Sequence, residues 1–459
     1  MFLGRTKELD SLERMYSKEN FQMAVLYGRR RIGKTALLNE FSKSKKTLYL
    51  SAEEINDSLN LKKFSHTLGE LLGINNFPSI PDWQTFFTII VEQLGKERLV
   101  LIIDEYPYAA SANRSLNSIL QHIIDYQFSK SNIFLILCGS SMSFMENHVL
   151  GEKSPLFGRR TGQLKLNPFD YYDAAQFYPN ASAECKIKYY AVFGGTPYYL
   201  SLIDKNMTFE ENVKELYFEM NSYLLNEGVL LMRQEFRESA NYNAVLQAIA
   251  SGANTLSEIV GFTKLESNFV SRYLLTLQEL NFIERIIPFN ANSLKGKKSL
   301  YCIAENFIAF WYRYVFPVKG EIERGNGDIY FHLSLRNLSE YIGPIFETIT
   351  LQYLRRENAA GKLPFTAKSF GKWWGKDKKG NVHEIDIVLE SINPNELIIG
   401  ECKWNNTMKW NKTVDTLIER GTIFDKYKQY LYLFTKAEMD EGNSAFENVT
   451  IVSIEKYYL

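Results

Sequence analysis

The sequence predicts an α/β protein: a parallel sheet with a phosphate-binding loop, a helical lid, a winged helix-turn-helix and a second, C-terminal α/β unit. Three observations predict it. Short runs rich in Val, Ile and Leu, at Gln22–Tyr27, Leu99–Ile103 and Ile133–Cys138, are separated by helical stretches, as parallel strands buried on both faces are. The segment GRRRIGKT at residues 28–35 joins the first run to a helix. Near the C-terminus the acidic run EIDIVL is followed, after an Asn-Pro-Asn turn, by ELIIGECK.

At 459 residues the chain exceeds what one hydrophobic core serves, so roughly three domains are expected from length alone. Its 45% hydrophobic and 23% charged content supplies ample core and excludes disordered, collagenous and coiled-coil classes. Fifty-three basic and 53 acidic residues cancel, which excludes a uniformly basic nucleic-acid coat but leaves room for local basic patches. Cys138, Cys185, Cys302 and Cys402 lack CxxC spacing and nearby histidines, so a reducing compartment is expected rather than a disulfide framework or zinc site. The apolar runs are strand-sized, and Arg5 and Lys7 precede any stretch of signal-peptide length; a cytoplasmic protein without a membrane partner is expected.

Residues 1–180 read as the phosphate-binding α/β core. Residues 181–240 read as a helical lid broken at Gly194-Gly195-Thr196-Pro197, where two glycines and a proline end one helix before the next. Residues 241–325 give helix, turn, helix (Leu256–Val260), turn, longer helix (Ser267–Leu280), strand (Phe282–Pro288), Lys-rich loop and strand (Ser299–Ile303), the order of a winged helix-turn-helix. Polar Val318–Asp328, with three glycines, reads as a linker. Residues 326–459 open on a helix near Tyr341–Glu357. Strands follow at about Ser369–Trp374, His383–Glu390 and Glu396–Lys403, then a helix near Lys412–Lys428 and a final strand around Tyr430–Thr435.

The chemistry starts at the loop. Its glycines let backbone N–H groups wrap a phosphate, the helix N-terminus adds partial positive charge, Lys34 reaches the β- and γ-phosphates, and Thr35 can hold Mg²⁺. The nucleotide-binding segment is therefore Gly28, Arg29, Arg30, Arg31, Ile32, Gly33, Lys34, Thr35 and Ala36. Sixty-nine residues beyond Thr35, LVLIIDEYPY ends a strand with Asp104, a Mg²⁺-orienting carboxylate, and Glu105, a base for the attacking water.

These residues, with Phe2-Leu3-Gly4-Arg5 and Glu8-Leu9 before the first strand, ILCGSS, Gly158-Arg159-Arg160 and GGTPYYL, resemble the archaeal-type ATPase family, in the STAND branch of AAA+-related P-loop NTPases. The resemblance implies an ATP cofactor with Mg²⁺, Gly4 and Arg5 near the nucleotide base, Ser140 at the sensor position after the fourth strand, and Arg159 as a γ-phosphate sensor.

In the third helix of the helix-turn-helix Arg272 is the only basic residue, which argues against sequence-specific reading. Lys295, Lys297 and Lys298 in the wing suit phosphate contacts or, equally, a solvated hairpin tip. In the C-terminal unit, strand alternation puts Glu401 and Lys403 on one face, where Asp386 joins them if the register allows. Hard oxygen ligands suit Mg²⁺ or Mn²⁺ for activating water, with Lys403 positioning the water or stabilising charge. The pattern resembles the PD-(D/E)XK superfamily of restriction-endonuclease-like folds, which implies that Glu347 of GPIFE supplies a further acid from the first helix. Six lysines and one acid between Gly361 and Gly380, with Trp373 and Trp374 on opposite strand faces, suit DNA.

The expectation is an ATP-binding and hydrolysing switch coupled to DNA binding and metal-dependent DNA cleavage. The alternative keeps the ATPase and makes the later units binding modules for DNA or protein without cleavage. A homo-oligomer is left open.

Overall fold

The computed structural model describes residues 2–236, 238–289, 299–377, 379–437, 446 and 448–458. The wing lysines 295, 297 and 298 lie outside the described residues. Two compact units divide the chain: residues 1–169 with 196–198, and residues 170–195 with 199–459.

The first unit holds a five-stranded parallel sheet of β1 (Gln22–Tyr27), β2 (Thr47–Ser51), β3 (Leu99–Asp104), β4 (Ile133–Gly139) and β5 (Gly162–Lys165), in the order β2-β3-β4-β1-β5. The period-two rule is visible in its cores. Met23, Val25 and Tyr27 enter one apolar cluster with Leu101, Ile103 and Leu135, while Ala24 and Leu26 enter another with Ile102, Phe134 and Ile136. Both faces are thus covered, which is why the strands read as continuous apolar runs. Because β4 separates β1 from β3, whatever follows β4 stands between the phosphate loop after β1 and the acidic pair after β3.

In the second unit, helices Ala240–Ala250, Leu256–Thr263 and Ser267–Glu279 precede an antiparallel pair, β6 (Ile283–Ile286) and β7 (Leu300–Ile303). Thr255 caps the middle helix reciprocally with Glu258, fixing the turn before it. The stretch expected as a linker is instead helical: short turns over Lys319–Glu321 and Ile322–Asn326 lead into the helix Gly327–Arg336. Ile322 is fully buried and Asp328 pairs with Lys214 at 2.7 Å, so packing overrides glycine content there.

A second five-stranded sheet comprises β8 (Ala367–Lys376), β9 (Val382–Ser391), β10 (Glu396–Lys403), β11 (Lys428–Thr435) and β12 (Val449–Ser453), ordered β12-β11-β10-β9-β8. The β8-β9-β10 steps are antiparallel and the β10-β11-β12 steps parallel. The helix Trp410–Gly421 contributes Val414 and Leu417 to an apolar cluster with Leu397, Ile399 and Leu433, and the long helix Leu338–Ala359 packs against β8, β9 and β10. Among the described residues no helix is long and apolar enough to cross a membrane.

Candidate functional site

The phosphate loop turns between β1 and the helix Lys34–Ser42. A Cβ on Gly28 would stand 2.5 Å from the Leu166 carbonyl oxygen, and Gly33 adopts φ 88° at the helix N-cap, so both positions need glycine. Arg31 takes a left-handed φ of 67° with its guanidinium 4.8 Å from the Tyr198 ring centre. Arg30 donates to the Tyr108 hydroxyl at 2.8 Å, Ile32 is buried, and Thr35 and Ala36 are exposed in the first helical turn. Lys34 is buried and bends back to donate to the carbonyls of Gly28 (2.9 Å) and Arg29 (3.0 Å). Burial lowers its pKa, opposed by the carboxylates of Glu105 and Asp104. A lysine hydrogen-bonded to carbonyls in a glycine loop, with no carboxylate in direct contact, fits an incoming phosphate, which brings a charge-assisted partner.

Asp104 ends β3 and is buried. Its Oδ2 accepts from Thr35 Oγ1 at 3.3 Å and from the Tyr49 hydroxyl at 2.5 Å, and its Oδ1 accepts from the Glu105 N–H at 2.9 Å. Tyr49 comes from β2, an element unmarked in the sequence; burial and the Asp104 carboxylate together push its phenol pKa up. A carboxylate and a hydroxyl in mutual contact beside a phosphate loop are oxygen donors suited to Mg²⁺. Glu105 sits at φ 48°, a strained conformation for a non-glycine residue, and Ser140 holds its Oε2 through both Oγ (2.8 Å) and backbone N–H (3.2 Å).

Gly4 backs on Phe169, and buried Arg5 bonds Glu8 (2.9 Å) and the carbonyls of Ile32 (3.0 Å) and Asn167 (2.6 Å), tying the N-terminal segment to the loop. Arg159 departs from its expected role. It is bidentate to Asp125 at 2.7 and 2.8 Å and also donates to the Pro155 and Phe157 carbonyls. Two residues on, Thr161 bonds Met23 at the start of β1, whereas the loop follows the end of that strand. Arg159 is therefore at the opposite sheet edge from Lys34, held there by Asp125.

In the second unit, Asp386 on β9 and Glu401 and Lys403 on β10 are brought together with Glu347 from the helix Leu338–Ala359. Asp386 Oδ2 accepts from the Cys402 N–H at 2.9 Å. Burial, then the charges of Glu347 and Glu401, push its carboxyl pKa up to about 7. Glu401 is nearly fully buried, accepts from Lys403 Nζ at 2.6 Å and pairs with Arg420 of the helix Trp410–Gly421. Glu347 pairs with Lys372 of β8, while burial raises its pKa. The acids are thus largely neutralised by cations of the same chain. Among the described residues no three His, Cys, Asp or Glu side chains gather as a metal cage, so the oxygen donors offered are those of Asp386 and Glu401 rather than a three-acid set. Arg420 and Lys372 carried no sequence signal beyond their charge.

The basic hairpin is also less basic than its composition. Lys362, Lys368 and Lys372 pair with Glu357, Glu390 and Glu347. Trp373 packs edge-on against Phe424. On the helix Ser267–Glu279, Phe269 and Leu275 are exposed, and Arg272 lies 5.5 Å from the Phe269 ring centre.

Residues 2–203 match the model of an ATPase domain predominantly from Archaea, and residues 311–414 match a family of archaeal and bacterial proteins of unknown function. An uncharacterized protein of Methanocaldococcus jannaschii is 34% identical over 406 residues, covering 88% of each chain. An uncharacterized ATP-binding protein of the same organism is 46% identical over 46 residues, 10% of this chain and 78% of its own. Among solved structures, a Walker-type ATPase of Pyrococcus abyssi superposes with a TM-score of 0.51 at 21% identity, covering 68% of this chain and 96% of that one, a likeness of fold. With the phosphate loop and its acidic partner strand in place, the chain belongs to the family of P-loop ATPases found predominantly in Archaea.

Proposed function

We propose that the chain is an ATP-driven switch whose nucleotide state controls a DNA-binding unit capable of metal-dependent cleavage. The observation carrying this reading is that one chain holds two separate acid-and-lysine arrangements at sheet edges, Lys34 with Asp104 and Glu105, and Lys403 with Asp386 and Glu401.

At the first, the backbone of residues 28–35 and Lys34 would hold the ATP phosphates, and Thr35 and Asp104 would hold Mg²⁺, which supplies charge neutralisation when bound. Glu105, steadied by Ser140, would orient the attacking water and take its proton. At the second, Asp386 and Glu401 would hold Mg²⁺ or Mn²⁺, which supplies an activated water when bound. Lys403 would steady charge developing on the phosphate. The helix-turn-helix with its lysine wing and the outer hairpin would hold the DNA backbone. The Gly194-Gly195 segment is the coupling element: Gly195 N–H donates to the buried Glu305 at 3.2 Å, and the next residues, Thr196–Tyr198, pack within the first unit beside Gly33 and Arg31.

Purified protein incubated with plasmid DNA, ATP and Mg²⁺ or Mn²⁺ tests the reading. Nicking or linearisation is expected, abolished by Asp386→Ala and by Lys403→Ala with ATP hydrolysis unchanged. A second reading, an ATPase switch whose later units bind DNA or protein without cutting, is favoured by the pairing of Glu401 with Lys403 and Arg420 and by exposed Phe269 and Leu275. Absence of cleavage under every metal and nucleotide condition selects it, and normal cleavage by a protein carrying both Asp386→Ala and Lys403→Ala removes this site from the cleavage reading.

A further inference from the structure

The second unit contains a cavity of about 440 Å³ between the β6-β7 pair and the outer strands of the large sheet. It is preformed, because the Phe289 N–H donates to the Lys372 carbonyl at 2.7 Å and joins the segment after β6 to β8. Glu347 and Lys372, the ion pair beside Asp386, form part of its wall. Three aromatic side chains also line it, partly exposed Tyr301 from β7 and Trp374 from β8 and buried Tyr341 from the helix Leu338–Ala359, and the rest of the lining is divided between aliphatic and polar side chains.

The charges facing the cavity balance. Arg313 and Lys372 are matched by Glu347 and Glu384, and Arg313 also pairs with Glu340 at 3.4 Å. A cavity without net charge has no particular hold on a phosphate, yet apolar walls with aromatic rings suit a flat neutral group. Its volume admits one such group and excludes a duplex. A base reaches a cavity of this kind only when it is unpaired.

We propose that this cavity takes one unpaired nucleobase next to the backbone lying over Asp386 and Glu401, so that the substrate of the C-terminal unit is single-stranded or locally opened nucleic acid. The proposal rests on the reading of that unit as one that binds nucleic acid, and it narrows the substrate class.

The test uses the full chain in EDTA, with a short dye-labelled single-stranded DNA and its duplex as probes and fluorescence anisotropy as the readout. The single strand is expected to bind at least about tenfold more tightly, in line with stacking of one base. Trp374→Ala and Tyr301→Ala should each weaken single-strand binding several-fold and leave duplex binding unchanged, while Trp374→Phe should retain most of the affinity. The circular-dichroism spectrum and a cooperative thermal unfolding transition of the full chain check that each variant is folded, and Tyr301→Ala stands in if the tryptophan variant is not. Equal affinity for the two DNA forms, or full single-strand affinity in folded Trp374→Ala or Tyr301→Ala protein, overturns the proposal. Asp386→Asn separates it from the cleavage reading: retained single-strand binding without cleavage by any form of the protein removes the nuclease and keeps the cavity, whereas normal cutting of single-stranded DNA by folded Trp374→Ala protein removes the cavity and keeps the nuclease.

Discussion

The two acid-and-lysine arrangements use the same residue types and differ in what completes their charge. Around the phosphate loop, Lys34 hydrogen-bonds two neutral carbonyls and Asp104 accepts from two hydroxyls and an N–H, so the opposite charges feel each other without a direct ion pair and keep their polar atoms open to a ligand. In the C-terminal unit, Glu401 is met by Lys403 and Arg420, and Glu347 by Lys372. The first is organised for a ligand; the second has supplied its own counter-ions. A cation entering the second would have to compete with ammonium and guanidinium groups already in place, whereas a divalent cation entering beside Asp104 would displace only hydrogen-bond donors.

The largest effect expected from breaking this contrast is at Lys34. Lys34→Ala removes the charge that meets the phosphates, and ATP hydrolysis should fall by about 10²-fold or more. Glu105→Gln keeps size and hydrogen bonding but cannot take a proton, so ATP binding should persist while turnover falls by about 10²–10⁴-fold. Binding of a fluorescent nucleotide and steady-state phosphate release measure the two separately. A Glu105→Gln protein turning over at the parental rate would remove Glu105 from the role of base.

How much of this was legible follows from where each signal resides. The loop, the acidic pair and the strands flanking them are encoded locally, by apolar runs and fixed spacing, and β1, β3 and β4 fall where the runs predict, as β10 does in the second unit. Thr47–Ser51 and Gly162–Lys165 escaped because edge strands need less apolar sequence, and with β2 escaped Tyr49, whose meeting with Asp104 spans 55 residues. Arg159 was misplaced because a motif fixes chain position and not side-chain direction; Asp125, 34 residues away, decides that. The counter-ions of the C-terminal acids were invisible for the same reason, since lysine and arginine are common and only the fold chooses which of them face a buried carboxylate.

An intermediate effect is expected in stability. Burial and the charges of Glu347 and Glu401 push the Asp386 carboxyl up to about 7 in the folded chain against about 3.9 unfolded, so the folded state holds the proton more tightly and loses stability as pH rises from about 4 to about 7. Asp386→Asn removes that penalty. Its unfolding midpoint should exceed the parental one clearly at pH 8 and by little at pH 4. A gain that is the same at both pH values would mean that the Asp386 carboxylate is not destabilised by its neighbours.

The smallest effects, and the sharpest test of the contrast, come from removing one partner of an acid at each site and asking for opposite signs. Tyr49→Phe deletes a neutral donor to Asp104 and changes almost no volume. Without the phenol, Asp104 loses part of its orientation, so the Mg²⁺ concentration for half-maximal ATP hydrolysis should rise by about tenfold, the low end for loss of a group that positions a metal ligand, with little change at saturating metal. Arg420→Gln deletes a cation from Glu401 and leaves a polar side chain in its place. There the divalent cation no longer competes with a guanidinium, so Mn²⁺ affinity at the C-terminal unit, read by calorimetry in the absence of nucleotide, should increase by several-fold. Two sites of one design would weaken together; sites that differ in who supplies the counter-charge must move in opposite directions.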